Sequence, residues 1–241
     1  MCVIAWAWRA HPRYPFAVLA NRDERHARPS APLGWWTDAP DILAGRDLEA
    51  GGTWLGVTRS GRFAALTNRP GEKPPAAISR GALTTRFLAA LTPADEAAGA
   101  LAGEKDGYAG FNLLFGDGDR LALVSNRESD RALVPGVHGM ANGALDEAIP
   151  KVARLVGMLS RWSGAAAGPD DDAWFELLAD AEPALKGKPE SAIFVRGSAY
   201  GTRSSSIVLF GADGLVRFSE RRFDVSGWEC GAIAFEFRRA P

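Results

Sequence analysis

The chain of 241 residues is poor in the groups that mark several functional classes. It has two cysteines, Cys2 and Cys230, and three histidines, His11, His26 and His138. Two cysteines at opposite ends make no disulfide framework, and none of the five residues falls at CxxC or HExxH spacing, so neither a metal site nor a cofactor is expected. Charge of one sign is missing too. The 28 basic and 29 acidic residues leave a net charge of −1, which argues against a partner made of nucleic acid. No apolar run approaches the ~20 residues of a membrane span. The start, MCVIAWAWRA, lacks the basic region, long apolar core and cleavage site of a secretion signal. Gly51-Gly52 belongs to no phosphate-binding pattern. These absences predict a cytoplasmic protein without a transmembrane segment.

A hydrophobic share of 46% against 24% charged residues is that of a folded domain, and the length predicts one domain over residues 1–241. Short apolar runs bounded by Gly, Asp, Asn or Pro dominate and read as strands: Cys2–Trp8, Phe16–Ala20, Thr53–Thr58, Arg62–Leu66, Phe111–Phe115, Leu121–Val124, Ile193–Val195, Ile207–Phe210, Leu215–Phe218 and Gly231–Phe237. Three pairs flank short Gly-containing loops, as hairpins do: Arg59-Ser60-Gly61, Gly116-Asp117-Gly118-Asp119 and Gly211-Ala212-Asp213-Gly214. Helical spacing recurs at Leu83, Phe87, Leu88 and Leu91. Thr92-Pro93 reads as a cap opening a second helix to about Leu101. Val152, Leu155, Val156 and Leu159 mark a third helix, and Asp172 or a neighbour caps a fourth carrying Trp174, Leu177 and Leu178. Gly71–Ala77 and Ser163–Asp171 read as loops. Hairpins interrupted by helix pairs predict an α+β protein.

Cys2 carries the most chemistry. With Met1 removed, a thiol and an α-amine would share one residue. Their reference pKa values, about 8.5 and about 7.7–8.0, make proton exchange between them cheap near neutral pH. Such a residue supplies both nucleophile and base; otherwise Cys2 is a buried strand cysteine. Asn21-Arg22-Asp23-Glu24 follows directly on an apolar run, at hairpin distance from Cys2. A carboxylate there would hold the ammonium and an arginine would favour the thiolate; otherwise the segment is a solvated turn. Asn68, Asn112 and Asn142 lie at strand ends, where an amide could donate to an oxyanion or simply form a turn. Arg203, in Tyr200-Gly201-Thr202-Arg203-Ser204-Ser205, enters an apolar strand, where it needs a carboxylate partner or an anionic ligand.

Taken together, these residues resemble the NRDE family, also called the transport and Golgi organisation family. The matching pieces are Met1-Cys2, Asn21-Arg22-Asp23-Glu24, Ala50-Gly51-Gly52-Thr53-Trp54-Leu55-Gly56-Val57 and Leu66-Thr67-Asn68-Arg69. They continue through Ser79-Arg80-Gly81, Tyr108-Ala109-Gly110-Phe111-Asn112-Leu113, Leu145-Asp146, Pro150-Lys151-Val152 and the Tyr200–Ser205 segment. The match spans essentially the whole chain, with Met140-Ala141-Asn142 in place of the Leu-Ser-Asn the family leads one to expect. The family is similar to N-terminal-nucleophile hydrolases and, more distantly, to cholylglycine and penicillin V acylases. The resemblance implies a four-layer αββα sandwich of two mostly antiparallel sheets. It also implies that Cys2 is nucleophile and base, that Asp23 with Arg22 holds amine and thiolate, that Asn68 and Asn142 are oxyanion donors, and that Arg203 stabilises the nucleophile.

The expected function is hydrolysis of a linear amide C–N bond through an acyl-enzyme on Cys2. The alternatives are a non-catalytic carrier of haem or an acyl lipid on the same fold, and a scaffold whose polar segment is structural. Trp35, Trp36, Trp54, Trp162 and Trp174 would line an apolar cavity in a carrier and pack the core otherwise. His26 and His138 are the candidate axial ligands for haem.

Overall fold

The computed structural model describes residues 2–72, 78–117, 120–129, 131–165 and 168–240. They form two compact units, one of residues 1–27 and 135–238, the other of residues 28–134 with 239–241. Each unit has one antiparallel sheet and two of the four α-helices, so the α+β expectation holds.

The sheet of the first unit has the order β10-β1-β2-β11-β12-β13. Its strands are β1 (Val3–Trp8), β2 (Phe16–Arg25), β10 (Gly136–Met140), β11 (Tyr200–Phe210), β12 (Leu215–Phe223) and β13 (Glu229–Arg238). β1 is buried on both faces, which is why its apolar run does not alternate. Val3, Ala5, Ala7, Ala17, Leu19, Ile207 and Leu209 share a core with α3 (Pro150–Gly164) and α4 (Asp171–Leu178), through Val152, Leu155, Leu159, Trp162, Trp174 and Phe175. The small residues of β1 and β2 let the bulky helix side chains sit close. Trp162 and Trp174 meet edge to face at 5.1 Å.

The sheet of the second unit runs β3 to β9 in chain order. Its strands are β3 (Ser30–Trp35), β4 (Ile42–Asp47), β5 (Leu55–Thr58), β6 (Phe63–Asn68), β7 (Phe111–Gly116), β8 (Leu121–Ser125) and β9 (Arg131–Ala132). Ala64, Leu66, Phe111, Leu113 and Phe115 pack with α1 (Gly81–Ala89) and α2 (Ala94–Ala102) through Leu83, Phe87, Leu88 and Leu101.

All three predicted hairpins form, as β5–β6, β7–β8 and β11–β12. Gly61 and Gly214 sit at φ +87° and +84° in the first and third turns, backbone that only glycine adopts without strain. Residues 118 and 119 of the second turn, residues 73–77 of the Gly71–Ala77 loop and residues 166 and 167 of the Ser163–Asp171 loop lie outside the described residues.

Four local expectations change. Ile193–Val195 is buried but unpaired as a strand; its backbone bonds instead go to Asn21, Asp180 and Thr202. Leu91 lies beyond α1 and is 93% exposed, because the chain turns extended at Ala90. Arg62, stacked on the Phe87 ring, gathers the Phe87 and Thr92 carbonyls there. Pro93, not Thr92, is the N-cap of α2, and the Asp117 carboxylate accepts from Ala94 N at 2.9 Å in place of a capping hydroxyl. Finally β2 runs five residues past Ala20, through the polar segment. Among the described residues no helix is long and apolar enough to cross a membrane.

Candidate active site

β2 carries Asn21, Arg22 and Asp23 between β1 and β11, and all three side chains are buried. Strand alternation turns Asn21 and Asp23 to the helix-covered face, with Val3 and Leu19, and Arg22 to the opposite face, with Ile4 and Ala20. The solvated-turn reading of this segment therefore fails. A strand can bury such residues only if their polar atoms find partners. Asn21 does so by stapling: Nδ2 donates to Leu178 O at 2.8 Å and Ile193 O at 3.0 Å, and Oδ1 accepts from Ser205 Oγ at 2.6 Å. Asp23 Oδ1 accepts from Thr202 Oγ1 at 2.7 Å, and that hydroxyl oxygen accepts from Val195 N at 2.9 Å. The Tyr200 hydroxyl donates to Asp23 O at 2.8 Å.

Burial pushes the Asp23 carboxyl from 3.8 up to about 6, against the lowering effect of nearby positive charge, Lys151 included, and of the Thr202 hydroxyl. Lys151 stands in the first turn of α3, 1% exposed, with Nζ donating to Glu190 O at 3.1 Å. Burial lowers its ammonium pKa from the ordinary lysine value, while Asp23, Cys2 and Glu190 act to raise it. Cys2, Asp23 and Lys151 thus share one electrostatic neighbourhood.

Val3 pairs with Asn21 and Ile4 with Met140. Cys2 directly precedes β1, and Asn142 lies two residues beyond the end of β10, both outside the paired registers. Arg22 pairs with Ser204. Cys2 is a half-buried free thiol, whereas Cys230 is exposed on β13. Arg203 occupies the bulge between Thr202 and Ser204 and donates from Nη1 to His26 O at 2.7 Å. Among the described residues no carboxylate bonds it, and its Nε is buried without a hydrogen-bond partner. Asn68 belongs to the second unit, at the end of β6 opposite Phe111. Asn112 is structural, donating to Thr67 Oγ1 at 3.1 Å.

Around Asp23 stand two groups to which the sequence motifs assigned no role, Thr202 and Lys151. Lys151 had a signal: it lies four residues before Leu155 and eight before Leu159, on the apolar stripe of α3, where a lysine is out of place. Trp36, Trp162 and Trp174 are buried packing residues, whereas Trp35 and Trp54 are half-buried. Trp36 Nε1 donates to Ala44 O at 3.1 Å, and Trp54 lies so close over Gly45 that a Cβ there would sit 2.6 Å from Cη2. His26 bonds Gly197 O at 2.8 Å, His138 bonds Asp146 Oδ2 at 2.8 Å, and His11 stacks on Trp162 at 4.4 Å. No cluster of three or more His, Cys, Asp or Glu placed to hold a metal occurs among the described residues.

The family model described as Transport and Golgi organisation 2 matches residues 1–225. The chain belongs to that family. It is 31% identical to the Transport and Golgi organization 2 homolog of Mus musculus, over 98% of this chain and 99% of the relative. To the Transport and Golgi organization protein 2 homolog of Homo sapiens it is 32% identical, again over 98% of this chain and 99% of the relative. Among solved structures it is similar to a mutant of the conjugated bile acid hydrolase from Clostridium perfringens, with a TM-score of 0.52 at 12% identity over 98% of this chain and 92% of that one. It is also similar to the Caenorhabditis elegans ortholog of N-acylethanolamine-hydrolyzing acid amidase, with a TM-score of 0.51 at 10% identity over 86% of this chain and 92% of that one. Both are N-terminal-nucleophile hydrolases, and the likeness shows that this member of the Transport and Golgi organisation 2 family has their fold.

Proposed function

We propose that this chain is an N-terminal cysteine hydrolase that cleaves a linear amide C–N bond through an acyl-enzyme on Cys2. The observation that supports the reading lies at the start of β1: Cys2 is a free thiol beside Val3, whose strand partner Asn21 opens the buried run Asn21-Arg22-Asp23. The fold shared with an amidase and a bile acid hydrolase supports it.

With Met1 removed, the α-amine of Cys2 takes the thiol proton. The thiolate attacks the amide carbonyl carbon, and the electron pair moves onto oxygen, where the Asn142 amide donates. Collapse of the tetrahedral intermediate breaks the C–N bond, and the α-ammonium gives its proton to the leaving amine. Water then attacks the thioester, with the amine as base, and releases the carboxylic acid and the thiol. Asp23 holds the ammonium, Arg22 favours the thiolate, and Arg203 supports it from the bulge of β11.

The test is a panel of linear amides, N-acyl amino acids and N-acylethanolamines among them, assayed with Met-free protein verified by mass. Turnover that disappears in Cys2→Ala and persists in Cys230→Ala supports the proposal. Saturable binding of haem or fatty acid with no turnover of any amide favours the carrier instead.

A further inference from the structure

The turn that joins β12 to β13 leaves two large apolar side chains in water: Val225 is 62% exposed and Trp228 is 70% exposed. Among the described residues of the first unit, the other large apolar side chains left exposed are Leu185 and Ile233. One exposed hydrophobic residue is ordinary, but several gathered on one part of a surface mark a contact. Ile233 lies on β13, the strand that leaves the turn. The segment carrying Leu185 reaches the turn through Phe194. The Phe194 ring meets Phe223 edge to face at 4.7 Å, and its Cε1 lies 3.2 Å from the place of a Cβ on Gly227. Leu185 N donates to Ser191 Oγ at 2.9 Å, which ties the start of that segment to its middle.

The turn is built to hold its shape. Asp224 Oδ1 accepts from Ser226 N at 2.8 Å and from Trp228 N at 2.9 Å. Asp224 N donates to Trp228 O at 2.9 Å, Gly227 N donates to Asp224 O at 3.1 Å, and Gly227 takes φ +78°. This frame fixes the backbone and leaves the Trp228 indole outside, so its apolar area stays hydrated until a partner removes it from water. Cations stand beside the frame. Lys186, Lys188 and Arg196 are exposed on residues 185–196, against one acid there, Glu190, and Arg196 Nε lies 3.4 Å from the place of a Gly227 Cβ. The acids of the turn are engaged: Asp224 in the frame, and Glu229 with Arg221 at 3.9 Å.

A rigid turn with a tryptophan at its tip and cations behind it offers a partner protein little of the ~800 Å² per side that a stable interface needs. A bilayer needs no complementary shape, takes indole rings at the headgroup level, and attracts cations where its lipids are anionic. We propose that the β12–β13 turn is a docking tip for an anionic lipid surface: Val225 and Trp228 enter the interfacial layer, and Arg196, Lys186 and Lys188 meet the headgroups. The registers Val3–Asn21, Asn21–Ser205 and Ser205–Arg221 put the tip at the end of the sheet where β1 begins, three strands away from it. Docking there turns the Cys2 end of the sheet towards lipid, and it does not depend on what Cys2 does.

The experiment is flotation of the full chain with vesicles of phosphatidylcholine carrying about a third phosphatidylserine, and with phosphatidylcholine alone. The protein floats with the anionic vesicles, several-fold less with neutral ones, and less again as NaCl rises from about 0.1 M to about 1 M. Trp228→Ser weakens binding about tenfold, and Val225→Ser on the same turn weakens it several-fold. Leu91→Ser, which removes an equally exposed apolar side chain from the second unit, leaves binding unchanged. Absence of vesicle binding overturns the proposal, and so does binding that survives both turn variants or falls as far in Leu91→Ser. Self-association that Trp228→Ser abolishes, seen by sedimentation without vesicle binding, overturns it as well and assigns the tip to a second copy of the chain.

Discussion

Three buried residues in succession on β2 illustrate how differently one strand can treat its side chains. Asn21 is satisfied by two backbone carbonyls and a serine hydroxyl, so its worth is structural. Asn21→Ala orphans all three partners and is expected to lower stability by about 2–4 kcal/mol in urea unfolding; a change below about 0.5 kcal/mol would show that water replaces the amide. Asp23 is satisfied at one oxygen by Thr202, yet burial holds its pKa near 6. A carboxyl raised from 3.8 in the unfolded chain contributes stability that is fully present below that value and is lost as pH climbs through about 6. The loss is about 3 kcal/mol. Asp23→Asn, which cannot ionise, is expected to flatten this slope when unfolding is measured between about pH 4 and pH 7; parallel curves for the two proteins would contradict it. The identity of the polar residues near Cys2 was legible in the sequence, but their division between two faces of the sheet was not. That division depends on β2 continuing as a strand beyond Ala20, against the local polarity, because β11 pairs with it as far as Arg25 while β1 pairs only to Asn21.

At the scale of elements, the hairpins and helices with strong periodicity were readable, and the misses have a common cause. β3 contains Pro32 and Gly34, and β4 ends in Gly45-Arg46-Asp47, so neither shows the alternation of a strand. β3 tolerates its proline because it is the edge of its sheet. Gly45 is required by the close approach of the Trp54 ring, a contact between residues of separate segments that no local pattern reveals. The fourth helix was legible because its cap is chemical: Asp170 Oδ1 accepts from Ala173 N at 3.0 Å. Asp170→Ala is expected to cost about 1 kcal/mol of stability in the same urea measurement. The seat of α3 on β10 is tighter. A Cβ at Gly139 would meet Val152 Cγ1 at 2.7 Å and Val156 Cγ2 at 2.8 Å. Gly139→Ala should therefore destabilise by about 1–3 kcal/mol, and Val156→Ala combined with it should recover part of that loss. A strictly additive double variant would mean the helix is free to shift.

For the whole molecule, two antiparallel sheets, each with its own pair of helices and its own core, realise the α+β class that the punctuation of the sequence predicts. Membership of the Transport and Golgi organisation 2 family and the fold of N-terminal-nucleophile hydrolases agree with the resemblance read from the motifs. The proposed chemistry of Cys2 starts from a thiol at the second residue, which the sequence displays, and from the motifs that resemble the family. Its electrostatic setting is not legible there. That setting comes from Asp23 on β2, Thr202 on β11 and Lys151 on α3, three separate stretches of chain that gather at this end of the sheet only once the sheet and α3 are assembled.

The most direct test of the central claim is the intact mass of the protein before and after exposure to a thiol-reactive acylating probe. The account predicts a chain lacking Met1 that gains one acyl group, located at Cys2 by peptide mapping, with no gain in Cys2→Ala and an undiminished gain in Cys230→Ala. A chain that keeps Met1 in full, or one acylated equally in all three proteins, would contradict it.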